Sequence, residues 1–305
     1  MKLSHYLKQL KESHKTPIYL LGHLNTDVDS LVSVWLLSRL MNEFGIANHP
    51  TILDSTIPSD TLELVSHLPI PIESFNRSLP KNASVFLVDH FETIQSIADE
   101  TIRSSVEILG CVDHHPTNKQ MDYPFYQYES IGCCARLIFD ELSPYLTGEE
   151  LAIYRQATLV ALMVDTCSLR SSKATPSDKA WVAKLEQLHP TEVEQATTLG
   201  FCLTNLTQPM EQLFLNGAKR YKNNTAHFGC SYIQVFRQPN ETIQSLLTYG
   251  SCFLKNHPED FWIFLVVDFK NDETIEYQIF ENQTLQTIHK GIKSRGVDII
   301  PKYQK

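Results

Sequence analysis

The stretch PIYLLGHLNTDVDSL, residues 17–31, joins a short apolar run to a polar loop and then to a second apolar segment. Its first six residues follow a polar, helix-like start and are typical of a buried strand that runs into a loop. Apolar residues then recur at helical spacing and predict a helix over 29–44, with Asp29 and Ser30 placed to cap its start. The stretch therefore predicts a strand, a loop and a helix in succession.

The same order returns further along the chain and indicates the fold class. Continuous apolar strands that alternate with helices predict a parallel sheet covered on both faces. In such sheets, ligands bind beyond the carboxyl ends of the strands. We therefore expect an α/β domain with a parallel sheet over 1–188. Its further strands are predicted over 84–88 and 106–112, and its further helices over 132–142, 148–164 and 175–188.

The second part of the chain has a different pattern, which begins at about residue 188. Its elements predict a smaller α/β domain with a mixed sheet over 195–305. Its strands are predicted over 230–236, 262–268 and 275–280, and its helices over 191–199 and 241–254.

The overall composition is that of an ordinary globular protein, with 305 residues of which 42% are hydrophobic and 20% charged. The net charge of -9 argues against a nucleic-acid polymer or a membrane as partner, although it does not exclude a local site for a small anion. The seven cysteines form no CxxC pair, which favours reduced thiols and a cytoplasmic location. The longest apolar run, 261–267, is too short to cross a membrane.

Histidines and aspartates gather in four places, and three of these follow predicted strands. Each cluster alone has an ordinary explanation, such as a helix cap, a turn or a solvated helix end. Together they lie at the ends of core elements, so that one fold could bring them to one crevice. The clusters are His23 with Asp27 and Asp29, Asp89 with His90, Asp113 with His114 and His115, and Asp165 with Thr166.

Such a crevice would hold five carboxylates, counting Asp113, and these would repel one another unless cations or protons neutralised them. Two divalent ions are the simplest solution. Imidazole and carboxylate ligands suit manganese better than calcium, and magnesium is an alternative. Because no cysteine belongs to the clusters, a structural zinc site is disfavoured.

The four ordered motifs resemble those of the DHH phosphoesterase superfamily, and most closely those of its family II, manganese-dependent inorganic pyrophosphatases. They are Gly-His-Leu-Asn-Thr-Asp-Val-Asp-Ser (22–30), Val-Asp-His (88–90), Val-Asp-His-His-Pro (112–116) and Asp-Thr (165–166). Relatives of the exopolyphosphatase and prune type usually carry Asn where His23 stands. The resemblance covers nearly the whole chain. It implies a DHH catalytic domain over 1–188 and a DHH-associated, substrate-binding domain over 195–305.

The resemblance also implies roles for individual residues in the first domain. Two divalent ions would be bound by His23, Asp27, Asp29, Asp89, His114 and Asp165. Mn²⁺ is the expected ion, with Mg²⁺ or Co²⁺ as alternatives. The residues at Asp89 and Asp165 would contact both ions. His115 would face the substrate phosphate, and Asp113 would orient the histidines from behind.

In the second domain, the segment 216–221 resembles the one that supplies a phosphate-binding lysine, here Lys219. Ser294 and Arg295 match the start of a Ser-Arg-Lys signature, and Arg295 would bind phosphate. Two lysines of that signature are replaced by Gly296 and Val297. Lys293, Lys302 or Arg220 could substitute for the missing charge. In the first motif, Thr26 stands where proline is common.

The function implied is hydrolysis of inorganic pyrophosphate to two phosphates by a water activated by two metal ions. One alternative is an exopolyphosphatase or another DHH-type hydrolase that acts on polyphosphate or short nucleotides. A second alternative, from a different class, is a sensor or scaffold that binds metal and phosphate without turnover. The resemblance also implies a homodimer, which the residues themselves do not indicate.

Overall fold

A computed structural model describes residues 1–14, 16–117, 121–201, 203–236 and 239–304. The chain forms two compact units. The first comprises Met1–Leu169 with Ala174–Gly200, and the second comprises Arg170–Lys173 with Phe201–Lys305. The predicted start of the second domain, at residue 195, differs from this division.

The first unit is built on a five-stranded sheet in the order β2-β1-β3-β4-β5, in which every paired strand is parallel. The predicted parallel sheet is therefore confirmed. Its central strands are the apolar runs of the sequence, whereas β2 and β5 at the edges carry mostly polar residues and were not predicted. The strands are β1 (Ile18–Leu21), β2 (Asn48–Thr51), β3 (Ser84–Val88), β4 (Glu107–Asp113) and β5 (Tyr126–Tyr128).

Helices α2, α5, α6, α7 and α8 agree with the predicted ones to within two residues at each end, although α8 was expected in the second part of the chain and belongs to the first unit. Helix α1 coincides with the helix-like start, for which no bounds were predicted. The short α3 and α4 were not predicted. The helices are α1 (Leu3–Ser13), α2 (Val28–Glu43), α3 (Ser59–Val65), α4 (Glu100–Arg103), α5 (Cys134–Leu142), α6 (Gly148–Asp165), α7 (Pro176–Leu188) and α8 (Pro190–Gly200).

The start of α2 differs from the prediction. Asp27 is the N-cap, and its side chain accepts a hydrogen bond from the Ser30 amide at 3.0 Å. The expectation that Asp29 and Ser30 cap this helix was therefore wrong. Asp29 is the second residue of the helix, and most of α2 is buried, because the helix packs against α5 and α6.

The second unit is built on a sheet in the order β10-β9-β8-β7-β6. Strands β7 and β8 are parallel, and the other pairs are antiparallel, so the predicted mixed sheet is confirmed. One face of the sheet packs on a core that includes Phe214, Trp262 and Phe264. The elements are α9 (Met210–Phe214), β6 (Lys219–Lys222), β7 (His227–Val235), α10 (Asn240–Leu254), β8 (Phe261–Asp268), β9 (Glu273–Ile279) and β10 (Thr284–Lys290).

No helix in the described part of the chain combines the length and hydropathy that a membrane crossing requires.

Candidate metal centre

The candidate site lies at the carboxyl edge of the parallel sheet. Strands β1, β3 and β4 are neighbours in that sheet, so the segments that follow them leave from the same edge. His23 follows β1, Asp89 follows β3, and His114 follows β4. The topology therefore gathers residues that are far apart in the sequence.

A first group of potential ligand atoms comes from His23, Asp27 and Asp89, whose atoms lie within 4.8 Å of one another. The Nε2 atom of His23 is 3.4 Å from an oxygen of each carboxylate. Its Nδ1 atom lies 2.9 Å from the carbonyl oxygen of Leu24. A carbonyl can only accept, so Nδ1 carries the proton and Nε2 presents its lone pair to the two carboxylates.

A second group comes from Asp29, His114 and Asp165, again within 4.8 Å of one another. The Nε2 atom of His114 is 3.5 Å from an oxygen of each of the two carboxylates. Its Nδ1 atom donates to the carbonyl oxygen of Ile131 at 2.9 Å. The ring is therefore oriented in the same way as that of His23, with Nε2 toward the acids.

The two groups are adjacent, because Nε2 of His114 lies 3.3 Å from Oδ1 of Asp89. They share no residue, and together they comprise all six ligands expected from the sequence. The structure thus brings the six side chains together. Their role as ligands stays a prediction. A third group of potential ligand atoms overlaps the first two and consists of Asp89, His114 and His115.

Asp29 is held by a helix other than its own. Its Oδ2 atom accepts a hydrogen bond from the Cys134 amide at 2.7 Å, and its Oδ1 atom accepts one from the Ala135 amide at 2.8 Å. These amides form the N-terminus of α5, where backbone N–H groups and the helix dipole favour an anion. The hydroxyl of Ser33 also donates to Oδ1, at 3.1 Å. These three hydrogen bonds fix the position of the carboxylate.

The buried acids respond differently to their surroundings. Burial, and after it the charge of Asp89, raises the pKa of Asp29 well above its ordinary value. For Asp89, burial acts in the same direction, but the adjacent imidazoles of His114 and His23 outweigh it and hold the pKa well below the usual range. Like charges that are buried side by side favour a bound cation. The imidazole nitrogens and carboxylate oxygens suit a divalent ion such as Mn²⁺.

Asp89 has an uncommon backbone conformation. Its φ angle is 64°, in the left-handed region that non-glycine residues seldom adopt. Its amide donates to the carbonyl oxygen of Val112 at 2.9 Å, so the strained residue is tied to the neighbouring strand. Strain of this kind, about 1–3 kcal/mol per residue, concentrates at functional sites.

Asp113 is fully buried and holds His115. Its Oδ1 atom accepts hydrogen bonds from the backbone amides of His114 at 2.8 Å and His115 at 3.1 Å, and it lies 2.8 Å from Nδ1 of His115. Burial alone would raise the pKa of Asp113, but the charge and hydrogen bond of His115 lower it below the ordinary value. The His115 side chain is 26% exposed, so it can reach a ligand from solvent.

His90, the histidine of the second motif, is directed away from the acids. Its Nδ1 atom lies 2.9 Å from the carbonyl oxygen of Val88, and its Nε2 atom lies 2.9 Å from the Ser96 hydroxyl. Burial, and then the charge of His23, lowers its pKa to about 4. His90 is therefore neutral at neutral pH, and its contacts fix the turn after β3.

Two of the residues predicted to bind phosphate, Lys219 and Arg295, lie in the second unit. Lys219 is the first residue of β6, and Arg295 donates through Nη1 to the carbonyl oxygen of Gly217, two residues before Lys219. The Arg295 guanidinium also lies 5.5 Å from the centre of the Tyr232 ring. Arg295 is thus placed beside the segment that carries Lys219.

Two of the cations that could replace the missing lysine contact carboxylates of the same unit. Arg220 Nε lies 2.5 Å from Oε1 of the buried Glu259, and Lys302 Nζ lies 3.7 Å from Oε2 of Glu276. Each of these carboxylates would compete with a phosphate for the same cation.

One residue that supports the site was not singled out from the sequence. Asp178, which is fully buried, accepts a hydrogen bond from the Gly132 amide at 2.9 Å. The carbonyl of the same peptide group, that of Ile131, accepts from His114 Nδ1. The capping box of Asp178 with Thr175 at the start of α7 could have indicated a structural role, but not this link to His114.

Known proteins resemble this chain along most of its length. Residues 17–164 match the DHH family, N-terminal domain. A probable manganese-dependent inorganic pyrophosphatase of Clostridium acetobutylicum is 25% identical over 276 residues, which cover 88% of this chain and 87% of the relative. Another protein of that name, from Bacillus cytotoxicus, is 24% identical over 310 residues, which cover 93% and 96%.

A solved structure supports the fold. A Methanococcus jannaschii protein assigned to the family II inorganic pyrophosphatases superposes with a TM-score of 0.74 over 94% of this chain and 98% of that chain, at 19% sequence identity. The match over residues 17–164 shows that this part of the chain is a DHH-family N-terminal domain, and the relatives named as inorganic pyrophosphatases support a hydrolase. The resemblance to the manganese-dependent inorganic pyrophosphatases, predicted from the motifs, is confirmed.

Proposed function

We propose that the protein hydrolyses inorganic pyrophosphate to two phosphates at a centre of two divalent cations, with Mn²⁺ as the preferred ion. The observation that carries the proposal is the pair of adjacent ligand groups, each with one imidazole and two carboxylates. The names of the relatives, which are manganese-dependent inorganic pyrophosphatases, favour this substrate and this ion. When bound, the cations would supply an activated water and neutralise phosphoryl oxygens.

The protein's own side chains would have separate tasks in this reaction. His23, Asp27 and Asp89 would hold one ion, and Asp29, His114 and Asp165 would hold the other. Asp89 and Asp165 would also contact the second ion of the pair, as the resemblance implies. Fixed orientation matters because a ligand that is already in place loses little entropy on binding. The contacts of Asp29 with the N-terminus of α5 supply such a fixed position.

His115 would act on the substrate. Asp113 holds its Nδ1 at 2.8 Å, which leaves Nε2 to accept a proton and, once the ring is protonated, to donate to a phosphoryl oxygen. A hydrogen bond that strengthens as negative charge develops on the leaving phosphate would favour the transition state. Lys219 and Arg295 would neutralise phosphate oxygens from the second unit.

The test is phosphate release from pyrophosphate, tripolyphosphate, longer polyphosphate and dinucleotides, each with Mn²⁺, Mg²⁺ or Co²⁺. We expect pyrophosphate with Mn²⁺ to give the highest kcat/KM. Asp165→Asn should lower activity and Mn²⁺ affinity together, whereas Asp140→Asn, at a half-exposed position on α5, should change neither. Unchanged turnover and metal content in Asp165→Asn would remove Asp165 from the site.

A second candidate is a DHH-type hydrolase of longer polyphosphates or short nucleotides. It is favoured by Gly296 and Val297, which remove two positive charges from the segment that resembles a phosphate-binding signature. A higher kcat/KM for tripolyphosphate or a dinucleotide than for pyrophosphate would select this candidate. Tight binding of pyrophosphate without any phosphate release would instead indicate a binding protein.

A further inference from the structure

The loop that carries His23 and Asp27 is clamped by an acid from another part of the chain. Asp54 lies three residues after β2, and β2 pairs in parallel with β1. The segments that follow these two strands therefore leave from the same edge of the sheet. This places the Asp54 carboxylate against the backbone of the loop.

Both oxygens of Asp54 accept hydrogen bonds from the loop. Oδ1 accepts from the Asn25 amide at 2.9 Å, and Oδ2 accepts from the Thr26 amide at 2.8 Å. The Thr26 hydroxyl donates to the same Oδ2 at 2.6 Å. Hydrogen bonds to a charged acceptor are stronger than those between neutral groups.

The loop has an intrinsic reason to need such a clamp. Asn25 has a φ angle of 56°, in the left-handed region, and such a conformation persists where the surroundings fix it. Thr26 is only 3% exposed. It also forms a hydrogen bond with a second segment, because its carbonyl oxygen accepts from the Thr61 hydroxyl at 3.0 Å. Thr26 is thus the point at which the loop is attached to the domain.

These contacts lie between the two potential ligands of the loop. The Thr26 hydroxyl is also 3.1 Å from the carbonyl oxygen of His23, and Asp27 follows Thr26 directly. A change in the backbone at Asn25 or Thr26 would displace both neighbours. Proline at this position, common in the proteins that the first motif resembles, has neither an N–H nor a hydroxyl. Two of the three bonds to Asp54 therefore depend on Thr26.

We infer that Asp54 is a positioning residue, which acts through Thr26 to hold His23 and Asp27 in the geometry that binds a divalent cation. The inference rests on the metal centre of the proposed function, and it goes further by assigning a role outside the six ligands. Outer residues that orient metal ligands affect affinity by about 10- to 100-fold when they are removed.

The experiment measures Mn²⁺ binding by isothermal titration calorimetry in the full chain. Asp54→Asn replaces one acceptor oxygen by an amide donor that faces N–H groups, so we expect about tenfold weaker binding at one site. Thr26→Val removes only the hydroxyl and should weaken binding less, whereas Thr26→Ser should match the wild type. If both residues act through one contact, the effects of Asp54→Asn and Thr26→Val should not add in the double variant.

The matched control is Asp99→Asn. Asp99 accepts from two backbone amides, at 2.8 and 3.0 Å, at the start of α4. This variant should change Mn²⁺ affinity by less than about twofold, because the two amides that Asp99 binds, those of Thr101 and Ile102, lie at the start of α4 and not in the loop. Hydrogen exchange of metal-free protein supplies a second readout, in which the Asn25 and Thr26 amides should exchange faster in Asp54→Asn.

Wild-type affinity and wild-type exchange in Asp54→Asn would overturn the inference, as would equal losses of affinity in Asp99→Asn. Mn²⁺ binding that depends on Asp54, together with a failure of the wild type to release phosphate from pyrophosphate, would contradict the proposed function and support the inference. Absence of Mn²⁺ binding in the wild type would overturn both.

Discussion

The Nε2 atom of His114 lies 3.5 Å from Oδ2 of Asp165. This distance joins the end of β4 to the end of α6, two elements that are separate in the sequence. An acid at the C-terminus of a helix opposes the helix dipole, and a histidine and a cation nearby would compensate for this. The pair therefore connects the sheet edge with the helix layer in the candidate metal centre.

His114→Ala should weaken Mn²⁺ binding by at least about tenfold, because its Nε2 faces the carboxylates of both ligand groups. Calorimetric titration with Mn²⁺ measures the effect. The exposed His67 supplies the control, since His67→Ala should leave both affinity and stoichiometry unchanged. Two intact sites in His114→Ala would show that the imidazole is not a ligand.

The variant His115→Gln tests whether His115 contacts the substrate or binds a metal ion. If His115 acts on phosphate, kcat/KM for pyrophosphate should fall by about 10²–10⁴-fold, the usual contribution of a positioned acid or base, with Mn²⁺ affinity unchanged. A parallel loss of Mn²⁺ affinity would instead make His115 a third ligand of the group formed with Asp89 and His114.

Asp113→Asn should lower kcat/KM for pyrophosphate, as His115→Gln should, because it weakens the 2.8 Å contact between Asp113 Oδ1 and His115 Nδ1. Steady-state kinetics of both single variants and the double variant measure the coupling. Non-additive effects are expected for residues that act as a unit. Fully additive effects would mean that Asp113 does not act through His115.

Gly296→Lys should lower KM for pyrophosphate, since it restores a cation to the segment that resembles the phosphate-binding signature. A Cβ atom at Gly296 would have no neighbour within 4 Å among the described residues, so the longer side chain should fit without strain. Gly296→Ala is the control for the backbone change. If KM for Gly296→Lys equals that for Gly296→Ala, position 296 does not contact the substrate.

Gly229→Ala should destabilise the second unit by about 1–3 kcal/mol, as overpacking of a core does. A Cβ atom at this position would lie 2.1 Å from Cζ3 of Trp262, which is fully buried. Thermal and urea unfolding of the variant measure the loss, with Gly296→Ala as the comparison. A melting temperature equal to that of the wild type would show that the Trp262 ring can move aside.

Much of the fold was predictable because its central elements bury apolar residues at regular spacing. Strands β1, β3 and β4 and helices α2, α5 and α6 follow this rule, and their apolar periodicity can be recognised within a short window of sequence. The edge strands β2, β5, β6 and β10 were not predicted, because an edge strand is partly solvated and tolerates polar residues. Their place in the sheet is set by neighbours that no local window contains.

The sequence by itself determined the identity and order of the potential ligands, since residue chemistry and spacing are local properties. Only the tertiary structure decided their surroundings. Asp29 binds the N-terminus of α5, 105 residues away from it in sequence; Asp54 holds a loop from 28 and 29 residues away; and His90 faces away from the acids. The physical reason is that a buried polar group takes whichever partner the packing brings near, and the topology of the sheet decides which partner that is.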